Sequence, residues 1–327
     1  MQKLLFSLSI VFTGLIIGYI IQRLVLNEKI KADKSLTKQR RILQDIALLC
    51  LNPIATIGAI WMLPFDSIQI ILLPVIGIIA ISTGGISALI IGKIIKLKPR
   101  QAGAFFSIGA MTNIGSIGAL VVFIFLGEEA FALVPMYKLF ETIIYYAICF
   151  PIAKSFSDNV QKADKTNKFK TFINSMKDPF VIVSVGSVIV GIFLNLSKIP
   201  RPAIYSNINT IIIPVMSLIL LISIGMAMKF SRIKDFIKPS LLTSAIKFLI
   251  VPFISTGIAY LLGFGTINDG LPLKVILIVT SMPVGFVALV PPSIYDLDID
   301  LANAGWMVTT AMLVLVIPVQ MLIISFM

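Results

Sequence analysis

The chain has 327 residues, 58% of them hydrophobic and 13% charged, with a mean hydropathy of +1.02, and a water-soluble domain could not keep such a surface in solution. The absence of histidine removes the commonest metal ligand and the commonest general base together, which excludes HExxH, Ser/His/Asp and haem-ligand chemistry. Cys50 and Cys149 stand far apart in apolar runs, where free thiols behave as small hydrophobes, so no disulfide or redox role is expected.

In chain order, apolar stretches near 3–26, 42–62, 67–92, 102–126, 130–153, 180–196, 207–228, 238–263, 271–295 and 301–326 predict ten transmembrane helices, at about 20 residues per crossing. The first follows only Met1, Gln2 and Lys3 without a small-residue cleavage site, which reads as a span and not as a signal peptide. Basic residues then mark alternate loops: Lys29, Lys31, Lys34, Lys38, Arg40 and Arg41 after span 1, and Lys93, Lys96, Lys98 and Arg100 after span 3. Lys154, Lys162, Lys165, Lys168, Lys170 and Lys177 follow span 5, and Lys229, Arg232, Lys234 and Lys238 follow span 7. These are 20 of the 27 basic residues, against Lys3, Lys198 and Arg201 on the other side. The loops after odd spans are therefore expected in the cytoplasm and both termini outside, in a bacterial-type inner (plasma) membrane. The net charge of +12 is on this reading a topology signal and a contact for anionic membrane lipids, with no nucleic acid as partner.

The longest loop, 154–178, separates five spans (1–153) from five (179–327), so the halves insert with opposite orientation. Phe169, Phe172, Ile173 and Met176 recur there at helical spacing among Lys168, Lys170 and Lys177, a pattern that fits a short interfacial helix or a solvated linker. Sliding span 4 onto span 9 by 170 positions places Asn113 on Pro283, Gly115 on Gly285, Glu128 on Asp298 and Ala132 on Ala302. Spans 2 and 7 share mid-helix prolines, Pro53 and Pro214. Matched breaks in corresponding spans of inverted halves point to a transporter's central site, although Gly and Pro also serve ordinary packing and kinks in membrane helices.

A break at mid-membrane exposes backbone N–H and C=O groups that hydrocarbon cannot satisfy, so it persists only beside a polar cavity or protein partners. Each break also presents a half-helix N-terminus of roughly +0.5 charge. In span 4, Asn113 and Ser116 are suited to capping the second half, while Gly115 and Gly118 let a ligand near the backbone. In span 9, Pro283 removes a donor where a half-helix starts, beside Gly285. Two such positive ends at one depth make a site for a small anion.

Of the charged residues, Lys138, Glu141 and Lys247 alone lie deep in spans; Arg23 and Lys274 are near enough to an end to snorkel. At about 1.5 Å per residue, Lys138 and Glu141 lie roughly 12 and 17 Å into span 5, Lys247 roughly 14 Å into span 8, and Asn113 and Pro283 about 17–18 Å into theirs. All five sit near the midplane of a ~30 Å core. Their formal charges leave one positive charge, favouring an anion. Lys138 and Glu141, three apart on one helix face, read either as a structural ion pair or as a working pair in which Glu141 takes up a proton or helps hold a cation while Lys138 meets the substrate carboxylate. Lys247 reads either as a cation bonded to exposed carbonyls, or as a substrate contact or tethered charge in place of a coupling ion. Asn52, beside Pro53, is a further polar candidate.

The stretch Asn113-Ile-Gly115-Ser-Ile-Gly118-Ala-Leu120, followed by Leu126-Gly127-Glu128-Glu129-Ala130, resembles the N-x-G-x-x-G-x-P and downstream G-E-E segments of the auxin efflux carrier family, bacterial members included. Pro214 with Ile224-Gly225, and Ser281-Met282-Pro283, resemble that family's patterns in spans 7 and 9. The resemblance covers essentially the whole chain, although each motif is short. It implies an all-α membrane protein of ten helices in two inverted five-helix repeats, with broken helices 4 and 9 crossing, as in bile-acid/sodium symporters and sodium/proton antiporters. It further implies that spans 3–5 and 8–10 form a transport domain against a scaffold of spans 1, 2, 6 and 7, and that the cargo is a small organic anion such as malate or malonate. The family's proline after the second glycine is Leu120 here, so span 4 is expected to bend at Asn113, Gly115 and Gly118 without fully unwinding.

The leading expectation is a secondary transporter of a mono- or dicarboxylate, an auxin-like acid included. Substrate-binding candidates are Asn113, Gly115, Ser116, Gly118, Pro283, Gly285, Lys138, Lys247 and Asn52. Glu141 is the candidate site for coupling to Na+ or H+, with no cofactor or metal; the sequence leaves a homodimer open. The alternatives are an uncoupled uniporter or channel of the same fold and a transport-dead sensor or scaffold. An intramembrane aspartyl protease, raised by Tyr295-Asp296, lacks a second Gly-x-Gly-Asp segment. Asp296 also neighbours Asp298 and Asp300 in what reads as a solvated turn and helix cap.

Overall fold

The computed structural model describes residues 2–26, 36–63, 65, 67–157, 179–228 and 232–327. The chain runs through α1 (Gln2–Leu26), α2 (Leu36–Ile60), α3 (Ile68–Ile94), α4 (Pro99–Ala110), α5 (Ala119–Tyr137), α6 (141–154) and α7 (Pro179–Leu196). It continues through α8 (Ile204–Gly225), α9 (Ile233–Leu261), α10 (Leu271–Thr280), α11 (286–294), α12 (Ile299–Ala311) and α13 (Leu313–Ser325). Among the described residues there is no strand, only one isolated antiparallel bridge between Thr112 and Val284. Among the described residues seven helices are long and apolar enough to cross a membrane, or eight if α12 and α13 count as one: the protein is an all-helical, multi-pass membrane protein. The helix considered for loop 154–178 lies, from residue 158 onward, outside the described residues.

Prolines shape several helices in a way the sequence makes legible. Wide, π-type turns occupy Ile46–Leu51, Tyr145–Cys149 and Ile246–Ile250, and each ends two residues before a proline: Pro53, Pro151 and Pro252. A proline has no N–H for the carbonyl four residues back and its ring crowds that carbonyl; widening the preceding turn relieves both problems without ending the helix. Pro214, paired with Pro53 by sequence, differs, because α8 continues through it. Span 10, expected as one run, bends by 48° between α12 and α13. Thr309 and Thr310 hydroxyls donate back to the carbonyls of Gly305 and Trp306, both at 2.8 Å, in the last turn before that bend, a bonding pattern that bends helices.

The helical stretch Ile114–Lys154 has 41 residues, about 60 Å if straight, twice what a ~30 Å hydrocarbon core needs. It is interrupted at Gly127, whose φ of 87° and ψ of −171° are open to glycine and strained for any other residue. A second interruption is the turn at 138–140, where Glu141 N–H donates to Lys138 O at 2.9 Å.

The chain divides into two compact units: unit 1 holds Met1–Phe65, Gly115–Pro135 and Pro179–Lys229, and unit 2 holds Asp66–Ile114, Met136–Asp178 and Phe230–Met327. Each half of the sequence thus contributes to both. Gly115–Pro135, which the resemblance would keep with spans 3 and 5, groups with unit 1. Inside unit 1, α1 and α8 approach so closely that a Cβ on Gly225 would stand 2.3 Å from Leu15 O. Inside unit 2, a Cβ on Gly84 of α3 would stand 2.3 Å from Gly109 O of α4. In hydrocarbon, where helices gain nothing by hiding apolar faces from water, such small-residue contacts supply the packing.

Candidate functional site

Both expected breaks are present, and both lie in unit 2. Helix α10 ends at Thr280 because Pro283 cannot donate to Val279 O and disfavours a helical Met282. Helix α4 ends at Ala110, and Met111 is extended (φ −95°, ψ 130°). The two unwound segments run antiparallel: Asn113 N–H donates to Pro283 O at 2.8 Å and Gly285 N–H to Met111 O at 3.1 Å. Gly285 is required by this approach, since a Cβ there would stand 2.8 Å from Thr112 O. Two hydroxyls complete the pairing: Thr112 N–H donates to Tyr145 Oη at 3.1 Å and Val284 N–H to Thr309 Oγ1 at 3.2 Å.

Two corrections follow for the reading from sequence. Span 4 unwinds fully over 111–113 although Leu120 replaces the family proline, because the exposed backbone of span 9 supplies hydrogen bonds that outweigh the missing breaker. The four amides at the crossing, those of Thr112, Asn113, Val284 and Gly285, are moreover already bonded to protein acceptors.

A polar chain runs from the crossing through unit 2. Lys247 Nζ donates to Thr112 Oγ1 at 2.8 Å. Tyr145 Oη, which accepts the Thr112 amide, donates to Glu141 Oε1 at 3.0 Å, and Lys138 Nζ stands 3.5 Å from Glu141 Oε2. Lys247 is 1% exposed, whereas the side chains of Glu141 and Lys138 are 9% and 31% exposed. Burial of an ammonium in hydrocarbon is costly and marks a functional position. Lys247 and Tyr145 are each presented by one of the proline-preceding wide turns.

Glu141 and Lys138 border a cleft of ≈ 10 Å³ with Pro74, Gly77, Ile114 and Tyr137. That is about the room of one water and far below the range usual for organic ligands. A larger hollow, ≈ 1070 Å³, lies along α9, α10 and α13 and is lined almost entirely by apolar side chains such as Phe248, Phe253 and Leu277. It offers an anion no charge, so the smaller cleft is the one tied to the chemistry.

Of the residues selected from sequence, unit 2 brings together Asn113, Pro283, Gly285, Lys138, Glu141 and Lys247. Gly115, Ser116 and Gly118 lie in the wide turn Ile114–Gly118 that opens the second part of span 4, and from Gly115 onward the chain belongs to unit 1. Asn52, after the wide turn in α2, also belongs to unit 1. Sequence reasoning missed Thr112, Tyr145 and Thr309. Tyr145 had a signal, standing four residues after Glu141 on the same helix face; Thr112 adjoins Asn113 in the break; Thr309 had none. Cys50 and Cys149 are free thiols.

Unit 1 holds a second carboxylate, largely enclosed with its side chain 13% exposed. Glu128, one residue beyond Gly127, pairs with Arg201 and accepts from Ser206 Oγ at 2.9 Å and Asn209 Nδ2 at 2.6 Å. The Gly-Glu-Glu segment is thus an anchored turn in this unit.

A family model described as membrane transport protein matches residues 37–321. An uncharacterized transporter of Methanocaldococcus jannaschii is 26% identical over 259 residues, covering 76% of this chain and 78% of that relative. An uncharacterized transporter of Methanothermobacter thermautotrophicus is 29% identical over 100 residues, 31% of this chain and 32% of the relative.

Proposed function

The chain belongs to the membrane transport protein family, that of the auxin efflux carriers, and from that premise we propose that it is a secondary carrier of a small carboxylate, working by alternating access around the crossing of the broken helices. The observation that carries this reading is the placement of Lys247 against Thr112, inside the antiparallel crossing and away from water. A soluble-type core would not retain an ammonium there; a site that must attract an anion has a reason to.

On this reading there are ten crossings in two inverted sets of five. Two of them are the interrupted pairs α4 with the first part of α5, and α10 with α11. The rest of α5, with α6, forms a separate crossing after Gly127. Asn113 and Lys247 meet the carboxylate, Lys138 adjusts the charge of the cleft, and Glu141 is where a proton or sodium ion enters the cycle.

Reconstitution in proteoliposomes tests this. Glu141→Gln is expected to weaken proton- or sodium-driven uptake while substrate exchange partly survives; unchanged ion dependence counts against Glu141. Asn113→Ala is expected to abolish uptake at normal expression, and retained uptake would remove span 4 from the site. Saturable flux with counterflow fits a carrier, whereas flux without counterflow fits a channel of the same fold.

A further inference from the structure

Resting on the carrier reading, we infer that the site is matched to a single negative charge: its cargo is a monovalent carboxylate whose oxygens take the two unused donors of Lys247 Nζ. An ammonium has three N–H donors. Lys247 spends one on Thr112 Oγ1, is 1% exposed, and makes no ion pair among the described residues. Lys138 faces Glu141 at 3.5 Å, so within the linked set of Lys138, Glu141 and Lys247 one positive charge is left over.

Among the described residues of unit 2, no other acid is placed to cancel it. Asp296 pairs with Arg100, and Asp298 caps α12 through Leu301 N–H. Asp235 and Asp300 both pair with Arg232, and Asp269 lies in the turn before α10. The crossing amides do not compete for the ligand either, because all four are bonded to protein. A monoanion therefore brings the closed site to neutrality. A dianion leaves one negative charge unmatched where water cannot screen it, and a buried unpaired charge is strongly disfavoured.

The same count makes an unusual prediction for Glu141, whose removal leaves two ammonium groups and no carboxylate. Glu141→Gln should then favour dianions. The test uses two acids of equal chain length, labelled butyrate and labelled succinate, in counterflow exchange by reconstituted protein at about pH 7.5, where both succinate carboxyls are ionised. The wild type should exchange butyrate at least about tenfold faster than succinate. Glu141→Gln should shift that ratio toward succinate by about tenfold or more, tenfold being the effect of ~1.4 kcal/mol.

Lys247→Gln should abolish exchange of both acids while its melting temperature holds or rises, since an unmatched buried charge has gone; Lys247→Arg should restore part of the butyrate flux. Succinate exchanged as fast as butyrate by the wild type, or a ratio untouched by Glu141→Gln, overturns the single-charge inference and leaves the carrier standing. A wild type that exchanges neither acid, nor shorter mono- and dicarboxylates, removes the carrier reading with it.

Discussion

Two glutamates thirteen positions apart, Glu141 buried and Glu128 largely enclosed, are held in opposite ways. Glu128, in unit 1, is enclosed by donors: the Arg201 guanidinium, the Ser206 hydroxyl and the Asn209 amide, with Asn209 fully buried. Arg201 also lies over the Tyr205 ring, 5.5 Å from its centroid, and Tyr205 packs edge-on against Trp61. Glu141, in unit 2, has one hydroxyl at 3.0 Å, one ammonium at 3.5 Å and a cleft beside it. A carboxylate surrounded by short charge-assisted bonds has no capacity left for a ligand. One with a long ion pair and an adjoining space can exchange its counter-charge during a cycle. The type of residue is the same, and its donor count separates anchor from site.

The largest effect expected from this comparison is on stability at Glu128. Glu128→Ala leaves the largely enclosed Arg201 and the buried Asn209 without their main acceptor, a loss of up to about 3 kcal/mol, the lower end of what breaking a buried ion pair costs. A melt in detergent micelles reads it, and a wild-type melting temperature would erase the distinction between the two glutamates. Next comes Tyr145→Phe, which strips the acceptor from Thr112 N–H and a donor from Glu141. An unsatisfied buried amide costs about 1–3 kcal/mol, and ion-driven uptake should fall further than exchange does. Equal loss of both would make Tyr145 merely structural.

Glu141→Gln follows, with a stability change of about 1 kcal/mol or less, since the amide still meets Tyr145, but with a clear loss of ion dependence in flux. Destabilisation as large as that of Glu128→Ala would show Glu141 to be a second anchor. The smallest effect is expected at the surface. Arg100 donates to Asp296 Oδ1 and to Asp296 O, both at 2.6 Å, yet the two side chains are 45% and 69% exposed. Arg100→Gln should cost no more than about 1 kcal/mol, and less at high salt.

Much of this was readable before any coordinates. Long apolar runs and the alternation of basic loops identify a multi-pass membrane protein, because hydrocarbon admits few alternatives. Pro283 announces its own break, since proline carries its steric consequence wherever it sits. Lys138, Glu141 and Lys247 stood out because ionisable groups deep in a span are rare. Glu128 did not stand out as anything beyond a motif position: its partners Arg201, Ser206 and Asn209 follow more than seventy residues later, and nothing local links them.

By itself, then, the amino-acid sequence determined the helical class, the membrane-spanning runs and the places where helices would falter, all properties of single segments in a lipid solvent. Only tertiary structure decided what the faltering backbone would do. The carbonyls of Pro283 and Met111 took the amides of Asn113 and Gly285, and Tyr145 and Thr309 arrived from other helices to accept those of Thr112 and Val284. Backbone polar groups in hydrocarbon take whichever partner packing brings within about 3 Å, and that partner is chosen by the fold.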